Sequence, residues 1–368
     1  MHRRHFLRAG SVAAAASLVG TAGGRPLAAA VPPRPVRYVS NPALTTILPA
    51  DHWPGTPVDA RGRFMNHEFP FLQPVSTVAK WLLQRNPQRA EKQADPFRLP
   101  VLKTDAFLRG TADVVVWLGH ASFFVRLGGV SLLIDPVLGN LPVGGRRLSA
   151  LPLDAKAFTG LDYILVSHAH YDHCDKNSLR QLHAQNPQAQ LLTSLGMDTL
   201  LADWLPGAAV QAAGWYQQYR TNDRLRVTFL PARHWSNRSP FDVNETLWGA
   251  FVLQAGGRQV YFSGDSGYGS HFKQVGQLFP GLDVALMGAG AYAPRWFMGP
   301  NHQDPAQAVS AFHDTGAKIL VPMHYGTFDL SDEPVGEAPT LLRQLATAGR
   351  LQPHELRLLA VGQSLELA

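Results

Sequence analysis

The 368-residue chain contains a single cysteine, Cys174. That scarcity excludes a disulfide scaffold and a cysteine-ligated zinc module, so any metal site must rest on imidazole and carboxylate. Charge is also sparse, at 16% of residues, and it never gathers into a basic run. The formal net charge is +6, yet Arg3, Arg4, Arg8 and Arg25 fall in the first 30 residues with no acid among them. The rest of the chain therefore carries an excess of only +2, too little for a nucleic-acid partner. No apolar run is long enough to hold the chain across a bilayer, since the Ala- and Gly-rich stretch from Ser11 to Gly24 is short and mild. A serine-hydrolase elbow is missing too: Gly264-Asp265-Ser266-Gly267-Tyr268 has the wrong spacing and reads as a tight turn presenting Asp265.

What is present is a 45% hydrophobic composition, ample for a large core, and 15 histidines. Arg3-Arg4-His5-Phe6-Leu7-Arg8 resembles a twin-arginine export signal, with Ala28-Ala29-Ala30 as its cleavage site. The expected organisation is a signal peptide over 1–30, an extended arm over 31–110 packed on the main domain, and that main domain over 111–368. The twin-arginine machinery would then be a partner, and the mature protein would be periplasmic or extracellular.

In the arm, Val78, Trp81 and Leu82 recur at helical spacing between Pro74 and Pro87, predicting a helix near Val75–Gln84. From Val114 onward short apolar and β-branched runs take over: Val114–Leu118, Ser122–Leu127, Val130–Ile134 and Leu161–Ser167. A weak internal echo follows. Ser122–Pro136 and Ala250–Asp265 are each a strand, a Gly-Gly turn and a strand delivering an aspartate, Asp135 or Asp265. Further strands are expected at Val284–Met287, Ile319–Met323 and Leu356–Ala360, and helices at Asn177–Gln185, Pro305–Thr315 and Ala338–Ala348. The fold class is α/β, two facing sheets flanked by helices in a four-layer αββα sandwich.

His168-Ala169-His170-Tyr171-Asp172-His173 directly follows a buried strand. Side chains alternate along an extended chain, so His168 and His170 share one side. Four donors in six residues suit two adjacent metal ions better than one; neutral imidazole and carboxylate suit zinc, with iron or manganese also accommodated. His234, Asp265 and His324 each stand at the end of another predicted strand. The expected ligand sets are His168, His170 and His234 for one ion, and Asp172, His173 and His324 for the other, with Asp265 bridging. Asp135 could partner a ligand's other ring nitrogen or merely shape its turn, and His120 could orient substrate or hold its own turn. Cys174, beside a ligand, reads as a small buried side chain.

The six-residue motif resembles the signature of the metallo-β-lactamase-fold superfamily. Trp117-Leu118-Gly119-His120-Ala121-Ser122, Pro231-Ala232-Arg233-His234-Trp235-Ser236, Leu247-Trp248-Gly249 and Pro322-Met323-His324-Tyr325-Gly326-Thr327-Phe328 are similar to its branch of N-acylphosphatidylethanolamine-hydrolysing phospholipase D enzymes. The resemblance implies an αββα fold, two Zn2+ ions, and hydrolysis of a phosphodiester or phospholipid by a hydroxide held between the metals. Asp172, Asp265 and His302 are then the expected catalytic residues, His302 touching substrate ahead of a helix that starts near Pro305. The same metal pair could instead serve a lactonase or β-lactamase-like reaction at a carbonyl, or a non-catalytic exported metal-binding protein. A phospholipid substrate leaves room for peripheral membrane contact, although no basic amphipathic helix stands out. The loop containing Tyr292, Arg295, Trp296, Phe297 and Met298 could line a lipid-tail pocket or simply pack.

Overall fold

The computed structural model of the chain describes residues 36–66, 68, 75–142 and 145–367. The expected export signal and its cleavage site lie outside the described residues. Two seven-stranded sheets face one another. In the first, Ser364–Glu366, Val114–Gly119, Ser122–Leu127 and Val130–Ile134 pair antiparallel, and Tyr163–Val166, Gln190–Ser194 and Val210–Ala213 continue it in parallel. In the second, Ile319–Met323, Val284–Gly288 and Arg258–Phe262 are parallel, and Ala250–Ala255, Arg226–Leu230, Gln217–Gln218 and Thr45–Thr46 complete it antiparallel.

Strand alternation explains the layering. Val115 and Trp117 face the opposing sheet with Phe123, Ile134 and Leu165, whereas Val114, Val116 and Leu118 join Leu179, Leu182 and Leu201 of the covering helices Lys176–Gln185 and Met197–Trp204. The second sheet is covered in turn by His271–Leu278, Pro305–Thr315 and Glu337–Thr347, through Phe272, Val309, Phe312 and Leu342. Both faces of each sheet are thus buried, which is why the central strands read as continuous apolar runs. This is the four-layer αββα sandwich.

The two echoed hairpins occupy corresponding places in the two sheets. Their turns, Gly128-Gly129 (φ 59° and 73°) and Gly256-Gly257 (φ 57° and 77°), need positive φ at both positions, which glycine supplies without a Cβ penalty. The turns abut: a Cβ on Gly128 would sit 2.8 Å from that of Ala255. Both hairpins therefore turn at one end of the sandwich, and their second strands end together at the other. There each strand next pairs in parallel with a neighbour, so the carboxyl ends of several strands share one rim.

One expected strand differs. Leu356–Ala360 makes only a bridge at Leu356, with Leu320 N–H donating to Glu355 O at 2.6 Å and Arg357 N–H to Leu320 O at 2.9 Å. The chain then turns at Gly362 (φ 87°), and Ser364–Glu366 pairs with Val114–Val116 instead. Preceding the first sheet, the helix Val75–Leu83 lies against the rim, with Trp81 stacked on Phe297 at 4.8 Å between ring centroids. Among the described residues no helix is long and apolar enough to cross a membrane.

Candidate metal centre

The histidine-rich segment leaves the strand Tyr163–Val166 at the shared rim. His173 N–H and Cys174 N–H both donate to His170 O, at 3.1 and 2.8 Å, folding the segment into one tight turn. Asp175 then caps the next helix by accepting from Ser178 N–H at 2.8 Å. Arg238 secures the turn from outside: one guanidinium nitrogen donates to Ala169 O (2.9 Å) and to Cys174 O (2.6 Å), and the group lies 3.8 Å over the Tyr171 ring. Two further turns bring in distant residues. His324 N–H donates to His120 O at 3.1 Å, and Thr327 Oγ1 accepts from His120 N–H at 2.7 Å. His120, Asp135 and His324 all adopt left-handed backbone, with φ of 53°, 42° and 69°. Such conformations in non-glycine residues cluster where function over-determines the backbone.

Two clusters result. In the first, His168 Nε2 and His234 Nε2 lie 2.9 and 3.1 Å from His170 Nδ1, and the potential donor atoms of these three residues and Asp265 fall within 4.8 Å of one another. The second gathers His120, Asp172, His173 and His324 on the same criterion. Asp172 Oδ2 stands 2.8 Å from His120 Nε2, 3.3 Å from His324 Nε2 and 3.8 Å from His173 Nε2. Asp265 Oδ2 sits between the clusters, 3.1 Å from His324 Nε2, 3.2 Å from His173 Nε2 and 3.7 Å from His234 Nε2. All seven residues expected as ligands thus converge. His120 joins the second cluster through Asp172, and His302 stands at its edge with Nδ1 3.9 Å from Asp265 Oδ2.

Hydrogen bonds on the far side of the rings fix which nitrogen faces inward. His173 Nδ1 meets Asp135 Oδ2 at 2.7 Å, His168 Nδ1 meets Ser167 Oγ at 2.9 Å, and His234 Nδ1 meets Asn301 O at 3.2 Å. Each leaves Nε2 pointing at the cluster, whereas His170 turns Nδ1 inward. Asp135 therefore does hold an imidazole. The inward atoms include buried polar groups with no hydrogen-bond partner, among them His173 Nε2, His324 Nε2 and Asp265 Oδ1. Burying such atoms unpaired is costly, and a set of inward imidazoles around two carboxylates is the donor chemistry of divalent-metal sites. The residues fit such ions.

Electrostatics agree. Burial drives the imidazoles toward the neutral form, holding His168 and His234 well below the ordinary range and His170 and His302 at about 4. His173 and His324 behave oppositely: burial opposes their charge, but Asp265 and Asp172 outweigh it, raising His173 well above the usual range and His324 to about 9. Burial likewise pushes Asp172 and Asp265 up, and the surrounding imidazoles, His173 foremost, more than reverse it, so both stay ionised. The pocket thus calls for positive charge at its centre. Burial lifts the Cys174 thiol to about 12, which removes it as a nucleophile at neutral pH.

Several supporting residues escaped the sequence reading. In the sequence Ser167 marks only the end of a strand. Asn66, in the arm, donates to His234 O at 2.9 Å and accepts from His234 N–H at 3.1 Å, fixing that residue's backbone from 168 positions away. Half-buried Arg147 donates to Leu118 O (2.8 Å) and Val137 O (2.6 Å) behind the His120 turn. Nothing in spacing or periodicity marks these residues. The expected loop at Arg295–Met298 is a one-turn helix, in which Phe297 packs on Trp81 and Trp296 is 38% exposed beneath Lys80. Tyr292 is buried, its hydroxyl donating to Glu337 at 2.6 Å.

A family model for the beta-lactamase superfamily domain matches residues 131–325. An uncharacterized protein of Mycobacterium tuberculosis is 34% identical over 241 residues, 62% of this chain and 63% of that protein. The chain thus spans under two thirds of that relative's length. The N-acyl-phosphatidylethanolamine-hydrolyzing phospholipase D 1 of Caenorhabditis elegans is 30% identical over 260 residues, 66% of this chain and 72% of that enzyme. Among solved structures, Igni18, a metallo hydrolase from the archaeon Ignicoccus hospitalis, shares the fold with a TM-score of 0.55 at 22% identity, covering 70% of this chain and 99% of that one. The chain belongs to the beta-lactamase superfamily.

Proposed function

We propose that the chain hydrolyses a phosphodiester, with a phospholipid of the N-acylphosphatidylethanolamine class as substrate, using two zinc ions. His168, His170 and His234 would hold one ion and Asp172, His173 and His324 the other, with Asp265 shared. The observation that carries this reading is Asp265 Oδ2, within 3.7 Å of imidazole nitrogens from both clusters. When bound, the ions supply Lewis acidity and lower the pKa of water toward neutrality. The phospholipid class is supported by the kinship with the C. elegans enzyme.

The chain's own groups then have defined tasks. Asp172 and Asp265 set the charge of the centre, so that a singly negative diester still meets a net attraction. His120, bonded to Asp172, fixes that carboxylate's orientation. His302 stands beside Asp265 at the edge of the cluster, 15% exposed, where its neutral ring can hydrogen-bond a phosphoryl oxygen.

Side-by-side assays of the zinc-loaded protein on vesicles of N-acylphosphatidylethanolamine, a soluble chromogenic phosphodiester, a lactone and a β-lactam test the reaction class. Preferred turnover of the diesters is expected; turnover confined to the lactone or β-lactam would transfer the same centre to carbonyl chemistry, and no turnover at all would favour a metal-binding role. In the same assays His302→Ala should lower kcat by about 10²–10³-fold while bound metal stays unchanged.

A further inference from the structure

The two clusters are joined behind the metal-facing atoms by a single buried carboxylate. Asp135 is fully buried and accepts three hydrogen bonds: Ser167 N–H at 2.7 Å on Oδ1, and Ser167 Oγ–H at 2.6 Å and His173 Nδ1 at 2.7 Å on Oδ2. Ser167 Oγ also lies 2.9 Å from His168 Nδ1. A hydroxyl has one proton to give, and an ionised carboxylate can only accept. Ser167 therefore spends its proton on Asp135, and its oxygen must accept from His168 Nδ1–H. His168 and His173, one from each cluster, are both held in the tautomer that presents the Nε2 lone pair inward.

We propose that Ser167 is a positioning residue that couples the two ion sites, relaying the Asp135 carboxylate to His168 while Asp135 contacts His173 directly. The inference rests on the two-ion reading above, which the wild-type protein tests separately. Its consequence is asymmetric. Removing the hydroxyl frees His168 alone to rotate and change tautomer, whereas neutralising Asp135 releases an imidazole in each cluster. The Ser167 N–H bond to Asp135 survives in an alanine variant, so the turn itself remains anchored.

The test is zinc binding, with no dependence on turnover. Metal-free full-length protein is titrated with zinc against a chromophoric chelator, and crystals grown at limiting zinc are measured at the zinc absorption edge, which reads each position's occupancy separately. Ser167→Ala should weaken the position at His168 by about 10–100-fold and leave the position at His173 within about threefold of wild type. Asp135→Asn should weaken both, and Ser167→Thr, which retains the hydroxyl, should bind zinc at both positions as the wild type does. Unchanged binding in Ser167→Ala, or equal loss at both positions, overturns the coupling. A wild-type protein that takes up no zinc overturns the two-ion reading and the coupling with it.

Discussion

Asp265→Ala is expected to strip the protein of both ions and to lower hydrolysis by about 10³-fold or more, because a single oxygen faces both clusters. Asp265 Oδ2 is 3.1 Å from His324 Nε2, 3.2 Å from His173 Nε2 and 3.7 Å from His234 Nε2. Asp135, the other carboxylate grouped with an imidazole of each set, meets His173 at Nδ1, behind the inward-facing nitrogens, and Asp172 groups only with the second set. Without Asp265, the inward-facing donor set loses one of its two carboxylates, the one whose oxygen approaches imidazoles of both clusters. Asp265→Asn preserves the shape but supplies a neutral oxygen, and should retain at most one ion. Metal content of the purified variants, measured beside their rates, checks this. A variant that keeps two ions and loses only rate would restrict Asp265 to a catalytic task.

Chelation should have a comparably large effect, and a reversible one. Dialysis against a chelator is expected to abolish activity, and stoichiometric zinc should restore it. Ligands that bind only the native state stabilise it by mass action, about 2.7 kcal/mol when free metal is a hundredfold above Kd. A shift of the unfolding midpoint by several degrees should therefore accompany metal loss. The metal-free centre is expected to remain folded, since Asp135, Ser167, Arg238 and Asn66 hold its backbone and rings independently of any ion. Activity indifferent to exhaustive chelation would be incompatible with the proposed function.

The ligand set was legible because each member announces itself locally. His168, His170, Asp172 and His173 share one turn after an apolar strand, and Asp265 and His324 each follow a run of buried residues. A strand end at the rim of a sandwich is where a side chain can face a cleft, so the positions carried their own geometry. The Gly-Gly hairpins were legible for a similar reason: their backbone requirement is local.

What stayed hidden depends on distant packing. The His120 ring approaches Asp172 only because the His324 backbone bonds to His120 O. Asn66 meets His234 only once the arm has wrapped the rim. Gln190–Ser194, Val210–Ala213 and Met197–Trp204 were not anticipated, since the strands are short and carry polar residues whose pairing is set by their neighbours. At Leu356–Ala360 the apolar run exceeded the pairing available beside Leu320.

The central claim is that imidazoles and carboxylates from separate strand ends hold two cations around one shared aspartate. Elemental analysis of the purified wild-type protein, combined with diffraction at the metal's absorption edge, addresses it most directly. The account predicts two equivalents of divalent metal per chain, about 3.5–4 Å apart, with Asp265 touching both. A single ion confined to one cluster, or ions bound away from Asp265 and His324, would contradict it.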